Sequence, residues 1–566
     1  MPNPSCQDCK AHFDVQPADL EFYKKIRVPS PTFCPQCRLR RRFAFRNERS
    51  LYKRPCDLCK RDVIAMFSPD LPIGRGGTPF KVYCHDCFFS DKWDPVQYGR
   101  EYDFSKPFFA QWRELQEEIP QIALFNENSV NSPWTNYELD DKNCYLNFGG
   151  HYNEDCAYNQ YVLKCKDCFD NFWLMNGELD YENILCENCH KTFFSIFCLD
   201  CQETYFSFDC KGCSNILGCS GLRRKQNYIF NQPVSKEDFQ KFLKNNSLGS
   251  HKNLLELKRR SEEFWKTQPQ RAVFMDKTVN STGNIIKESK NCTECWNAEK
   301  TEDSKWIMYT LQVKDSYDTT SVWWGERCYE FLAGSEQLSN IRFTRAAVRA
   351  SSFIEYCDFM TGCHNCFGCF NLKQKTYCIL NKEYPKAEYE KLRTKIIEHM
   401  NTMPYTDRKG RAYRYGEFFP YELSPFGYNE TVAHEYFPLT RDEALARGFN
   451  WNDYETDQHY QFSDYQIPDG VKDVKDDVLN KVLKCETSGK AYRLIPMELA
   501  FYRRVGLPIP REAPFERHKR RLAFIARHLN LRGRTCGKCG SRVQSVYSEE
   551  EFPIVYCESC YLKEVA

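Results

Sequence analysis

The chain has 566 residues, with 79 lysines and arginines against 77 acidic residues and a net charge of +2. This length exceeds the roughly 250–300 residues at which a single core stops growing, so several domains are expected, and the near-neutral balance excludes a global coat for nucleic acid. The 42 Phe, 34 Tyr and 10 Trp exclude disorder, while the lack of a leader-like N-terminus or a long apolar run points to a soluble cytoplasmic protein, off the membrane, whose 32 cysteines are reduced.

Residues 1–98 carry two cysteine sets. Cys6-x2-Cys9 pairs with Cys34-x2-Cys37, and Cys56-x2-Cys59 with Cys84-x2-Cys87, with 24 residues between the pairs in each set. Two short knuckles of thiolates complete a closed tetrahedron around Zn²⁺, so each set reads as a structural zinc site with no coordination position left for catalysis. Between the sets lies RLRRRFAFRNERSLYKR, in which Arg38, Arg40, Arg41, Arg42 and Arg46 interleave with Phe43 and Phe45. Guanidinium forks suit phosphate oxygens and aromatic faces suit unpaired bases, so this segment is a candidate contact for RNA or single-stranded DNA.

Two homologous bodies follow, at 99–247 and 248–402. PQIALF from Pro120 matches PQRAVF from Pro269, and Lys142-Asn143-Cys144 matches Lys290-Asn291-Cys292, at an offset close to 149 residues. Within the first body, cysteine pairs begin twelve residues apart at Cys186, Cys198 and Cys210, and Cys144 and Cys156 show the same step. A fixed period of short β-prone stretches between Asn, Asp and Gly predicts stacked parallel rungs, a β-solenoid-like body. Helical patterns precede and close each body, with Ser105 and Ser235 expected as N-caps and Pro385 in a first helical turn.

The duplicate also tests the mid-chain cysteines. Cys168, Cys189, Cys198 and Cys201 correspond by offset to Ser316, Ser339, Val348 and Ser351, so small volume is kept and thiolate chemistry is not. These cysteines read as small core residues, with Cys363, Cys366 and Cys369 beside His364 as the one denser cluster that could hold an ion. The carboxylates Asp167, Asp170, Glu178, Asp180, Glu182, Asp315 and Asp318 leave open an enzyme with a carboxylate-lined groove acting on a glycan or nucleotide, without a recognisable catalytic motif.

After an aromatic and proline-rich connector at 403–480, residues 481–566 repeat the N-terminal design. Cys536-x2-Cys539 and Cys557-x2-Cys560 form a third intact set, whereas the counterparts of Cys6, Cys9, Cys34 and Cys37 are Cys485, Ser488, Ala513 and Glu516. Three structural zinc ions are therefore expected and none at the degenerate set. The basic segment persists there as Arg517, Lys519, Arg520 and Arg521.

The predicted architecture is multidomain and mainly β with helices, with terminal zinc-ribbon modules flanking two duplicated parallel β-solenoid-like bodies with helical caps. CPQCRLRRR, RPCDLCK, GCFNLKQKTYCILNKEY, YGEFFPYELSPFGYNET and IVYCESCYLKEV together resemble multi-zinc-ribbon proteins of candidate-phylum bacteria, a family without an assigned activity. The resemblance implies zinc binding and this architecture, and no reaction. The leading expectation is a zinc-stabilised binding scaffold that contacts RNA, single-stranded DNA or a ribonucleoprotein through its arginine segments, with a protein partner on the solenoid surface. A structural assembly protein is the other non-enzymatic alternative.

Overall fold

The computed structural model describes residues 4–70, 79–326, 329–330, 332, 338–339, 342–344, 348–453 and 461–565. Residues 454–460 of the connector and the side chains of Ser339 and Val348 lie outside that description. The chain forms two compact units, each made of two separate stretches: Met1–Ala123 with Phe274–Tyr454, and Leu124–Val273 with Glu455–Ala566. The N-terminal module thus folds with the second body and the C-terminal module with the first. Among the described residues, no helix is long and apolar enough to cross a membrane.

Each unit contains a ladder of parallel pairings. In the unit that holds the first body, Phe172 pairs with Gln160 and with Ile184, and Gln202 with His190 and with Ser214, every step being twelve residues. The other unit shows the same step from Trp296 to Met308 to Thr320 and from His364 to Thr376. Its first step, Met275 to Ile286, is eleven residues, and the steps from Gly325 to Leu338 and from Ser339 to Ser352 are thirteen. These irregular steps account for the drift of the sequence offset around 149. Each ladder ends in an antiparallel hairpin, Gln226–Ile229 with Gln232–Pro233 and Thr376–Ile379 with Lys382–Glu383.

The backbone of the first ladder has a period of three inside the period of twelve. Every third residue from Tyr137 to Phe230 has positive φ, including Tyr152, Trp173 and Phe194. For an L-residue this conformation costs about 1 kcal/mol or more. Such residues recover a ladder bond, since the amide typically donates to the carbonyl thirteen positions earlier, as in Asn143 to Val130 (3.0 Å) and Asp170 to Ala157 (3.1 Å).

The residues that follow point inward. Some of their amides still reach a carbonyl, as Glu138 to Phe125 (3.0 Å) and Cys295 to Thr282 (3.1 Å), while others take as partner the side chain twelve positions earlier. The amides of Asn159, Asn171, Asn183 and Ser195 donate to the Oδ1 atoms of Asn147, Asn159, Asn171 and Asn183 at 2.8–3.2 Å. Cysteine does the same work: Cys198 N donates to Cys186 Sγ (3.4 Å), Cys369 N to Cys357 Sγ (3.2 Å) and Asn381 N to Cys369 Sγ (3.3 Å). These thiols in turn donate to carbonyls, Cys186 to Ile184 and Ser195 at 3.6 Å. The mid-chain cysteines are therefore buried hydrogen-bonding groups as well as small core residues. Cys363, Cys366 and Cys369 belong to this core, while His364 is exposed and bonds Ser352 Oγ through Nδ1 (2.8 Å), so the four do not face one another.

The helices occur where the pattern placed them, with different docking. Phe108–Glu118, expected to cap the first body, belongs to the unit of the second, where Trp112 Nε1 donates to the Tyr356 carbonyl (2.8 Å). His251–Thr267 packs in the unit of the first body, with Trp265 against Phe208. The exchange follows from the strands after each helix: Gln121–Ile122 pairs with Val82–Tyr83, and Gln270–Arg271 with Val555–Tyr556, tying each to a ribbon module. Ser235 caps Lys236–Asn245 as expected. Ser105 does not cap; Pro107 stands at that position and Ser105 Oγ donates to Asp103. Pro385 likewise occupies the N-cap and not the first turn.

Replacing Asn171 with Leu strands the amide of Asn183 in a fully buried site, which should destabilise its unit by roughly 1–3 kcal/mol. Urea unfolding of the full chain measures it, and an unchanged midpoint contradicts the role given to the inward amides.

Candidate metal centres and the arginine clasps

Three groups of four cysteines converge: Cys6, Cys9, Cys34 and Cys37; Cys56, Cys59, Cys84 and Cys87; and Cys536, Cys539, Cys557 and Cys560, with all Sγ atoms of a group within 4.8 Å of one another. The local backbone builds each one identically. The first cysteine opens a tight turn closed by a positive-φ residue, Lys10, Lys60 or Gly540, whose amide returns to the cysteine carbonyl at 2.9–3.0 Å. Its sulfur then accepts the amide of the third cysteine at 3.3 Å, in Cys34 to Cys6, Cys84 to Cys56 and Cys557 to Cys536. The third cysteine also leads into a helix, with Pro35–Phe43 after Cys34, His85–Phe88 after Cys84 and Glu558–Val565 after Cys557.

These groups fit a tetrahedral thiophilic ion. Zn–S bonds of about 2.3 Å place tetrahedral sulfurs about 3.8 Å apart. The observed contacts are 3.7 Å for Cys9–Cys34, and 3.8 Å for Cys59–Cys84 and Cys539–Cys557. Four thiolates so close repel one another unless a cation or protons offset their charge. At the second set Arg61 donates to Cys59 (3.5 Å) and Cys84 (3.8 Å), and its hydrogen bond draws the Cys59 thiol down to about 6. Beside the first set Arg411 is bound to Asp8, between the ligand positions Cys6 and Cys9, at 2.8 Å.

The degenerate set keeps the same fold with other chemistry. Gly489 closes the turn, and Ala513 N still donates to Cys485 Sγ at 3.3 Å. The remaining positions hold the Ser488 hydroxyl, the Ala513 methyl and Glu516, so four thiolates cannot be assembled there.

The arginine segments turn inward. Arg38, Arg41, Arg42, Arg46, Arg517 and Arg521 are at most 5% exposed. In the first unit Arg38 and Arg42 share Asp318 (2.8 and 3.2 Å), while Arg41 grips Glu330 (2.8 Å) and Glu417 (3.2 Å). In the other, Arg517 and Arg521 share Asp170 (3.2 and 3.0 Å), Arg517 reaches Glu498 (3.1 Å), and Arg520 and Arg521 share Glu182 (2.7 and 3.1 Å). Arg46 pairs with Glu48. This corrects the reading of those six as nucleic-acid contacts, because their guanidinium groups are neutralised inside the fold. Lys519, and in part Arg40 and Arg520, retain exposed surface.

The two clasps share a set of equivalent contacts. Arg38 lies over Trp306 (4.7 Å) as Arg517 lies over Tyr158 (5.1 Å). Phe22 stacks on Tyr317 as Phe501 stacks on Phe169, and Tyr23 meets Tyr329 edge-on as Tyr502 meets Tyr181. Burial alone would raise the Glu182 carboxyl, but Arg520 and Arg521 hold it down to about 2. Its contribution to stability is thus full above the ordinary glutamate range and fades as pH falls toward 2.

Three of the other carboxylates of the enzyme reading are also engaged. Asp167 meets Arg504 (2.6 Å), Asp315 meets Lys25, and inward-facing Asp180 accepts the Thr192 amide (2.8 Å); Glu178 is exposed. Sequence reasoning missed a buried neighbouring pair, Glu138 and Asp141, which are 3% and 1% exposed. Burial followed by the neighbouring Asp141 pushes Glu138 well up, and burial lifts Asp141 to about 6. The sequence signal was their replacement by Ile286 and Ser289 in the duplicate. No family model and no curated protein sequence matches the chain.

Changing Arg521 to Met leaves Asp170 and Glu182 short of a partner and should cost about 3–5 kcal/mol; chemical unfolding reads it, and a loss below 1 kcal/mol contradicts the clasp. Raised carboxyls stabilise below their ordinary range and lose that contribution as pH rises through their folded values, for Asp141 about 6. Between pH 5 and 8 the parent should therefore lose more thermal stability than the variant with Glu138→Gln and Asp141→Asn. Parallel melting curves would rule this out.

Proposed function

We propose that the chain is a zinc-stabilised, non-catalytic binding scaffold, in which each twelve-residue ladder is a β-solenoid body held by a ribbon module. The observation that supports it most is the set of three four-cysteine groups at tetrahedral spacing, each complete in itself. When bound, the ion would supply cross-linking of distant loops. Cys6, Cys9, Cys34 and Cys37, then Cys56, Cys59, Cys84 and Cys87, then Cys536, Cys539, Cys557 and Cys560 would hold it.

On this reading the long faces of the solenoids carry the partner. Contact with RNA, single-stranded DNA or a ribonucleoprotein falls to the exposed Lys519 of the second clasp helix; Arg40, at the equivalent place in the other, is largely covered, and Arg520 is held by Glu182. The buried arginines orient the modules.

Elemental analysis of purified chain should give about three zinc ions per molecule, one per closed site. Chelation should lower the thermal midpoint, since metal binding is coupled to folding. A zinc content near zero with an unchanged midpoint would falsify the reading.

A further inference from the structure

We propose that Cys539 and Cys557 form a peroxide-sensitive dithiol, through which oxidation expels the metal from the C-terminal ribbon while the two N-terminal sets keep theirs. The proposal rests on the zinc reading above and adds a modification site to it.

In all three sets the second and third cysteines touch, as Cys9–Cys34, Cys59–Cys84 and Cys539–Cys557. Their accessibility differs. Cys34 and Cys84 are buried, so each N-terminal pair has one member closed to solvent, whereas Cys539 is exposed and Cys557 is only half-buried. The turn beside Cys539 is bare: a Cβ built on Gly540 would meet nothing within 4 Å. Lys538 is turned away to Glu564 (2.6 Å).

The polar neighbours differ too. Arg61, two residues after Cys59, spans Cys59 and Cys84. The residue two after Cys539 is Ser541, whose hydroxyl lies 3.1 Å from Cys539 Sγ, and Ser559 lies 3.3 Å from Cys557 Sγ. In a metal-bound set every sulfur is already a thiolate, so a guanidinium lowers its nucleophilicity and screens it, while a hydroxyl leaves more charge on an open nucleophile.

The chemistry needs one hydroperoxide. The Cys539 thiolate attacks a peroxide oxygen, the O–O bond breaks, and hydroxide leaves behind a sulfenic acid. The Cys557 thiolate then attacks that sulfur, the S–S bond forms, the S–O bond breaks, and a second hydroxide leaves. Two thiolates are oxidised, one peroxide is reduced to two waters after taking up two protons, and the ion loses two of its four ligands. Cys557 directly follows Val555–Tyr556, the strand that pairs with Gln270–Arg271, and the same ribbon sends Tyr561 to Asp209 (2.7 Å). Loss of the metal therefore loosens the attachment of this ribbon to its own unit.

The test uses the full chain with its zinc counted beforehand. Hydrogen peroxide is added at one equivalent, released zinc is followed with a chromogenic chelator, and disulfides are mapped by mass spectrometry. One equivalent of zinc should leave ahead of the other two, together with a Cys539–Cys557 disulfide. Ser541→Arg, which places a guanidinium where Arg61 stands in the second set, should slow that release toward the pace of the N-terminal sets. Simultaneous release of all three ions, an earlier Cys9–Cys34 or Cys59–Cys84 disulfide, or equal rates for S541R and parent would each overturn the proposal. Protein isolated without zinc overturns the expulsion step together with the zinc reading, and the disulfide map then decides the dithiol on its own.

Discussion

The ladders depend on finding acceptors for amides that point inward. In a step of only twelve residues with a bend at every third, a run of inward amides takes side chains and not carbonyls as acceptors. A buried amide left unsatisfied costs roughly 1–3 kcal/mol, and the problem recurs along each ladder. The solution is a column of side chains, each accepting from the residue twelve positions later, as from Asn147 through Asn159, Asn171 and Asn183 to Ser195. Cysteine suits the same place because its sulfur accepts one amide and its proton reaches a carbonyl. The abundance of cysteine in this protein thus has two physical causes, tetrahedral thiolate sets at the ends and hydrogen-bonding thiols in the middle.

The ladders present charge outward at fixed places, and the ribbon modules meet it. Asp170 and Glu182 stand one step apart, as do Asp318 and Glu330, and arginines on one helix face reach both rows. Buried ion pairs add little net stability compared with apolar packing, yet a mispaired one is heavily penalised. Their role here is to fix which rung the helix meets. A slip of one step would exchange the Asp and Glu partners and move Phe501 off Phe169 and Phe22 off Tyr317. The same clasp persists in the unit whose first cysteine set has decayed, so the helix keeps its seat without a second metal-ready set beside it.

Much of this was legible from residue spacing. The three complete cysteine sets, the twelve-residue step and the four helices follow from local pattern, because knuckles, strands and caps are decided by nearby residues. The direction of the arginines was not, since a run such as RLRRRF reads alike on a solvated face and in a buried clasp. What separated the two was a pair of acids retained in both copies, Asp170 with Asp318 and Glu182 with Glu330, at positions where neighbouring cysteines had been replaced. The crossed assembly, N-terminal module with second body, was hidden for a different reason. It is set by two short parallel pairings, Val82–Tyr83 with Gln121–Ile122 and Val555–Tyr556 with Gln270–Arg271, that carry no composition signal of their own.

Amide hydrogen exchange on the full chain tests the central claim most directly, because it reads the inward amides one segment at a time. Segments containing Asn171, Asn183, Cys198 and Cys369 should exchange only through unfolding of their whole unit, and a leucine at position 171 should selectively deprotect the segment around Asn183. Rapid exchange of these segments in the native protein would contradict the account.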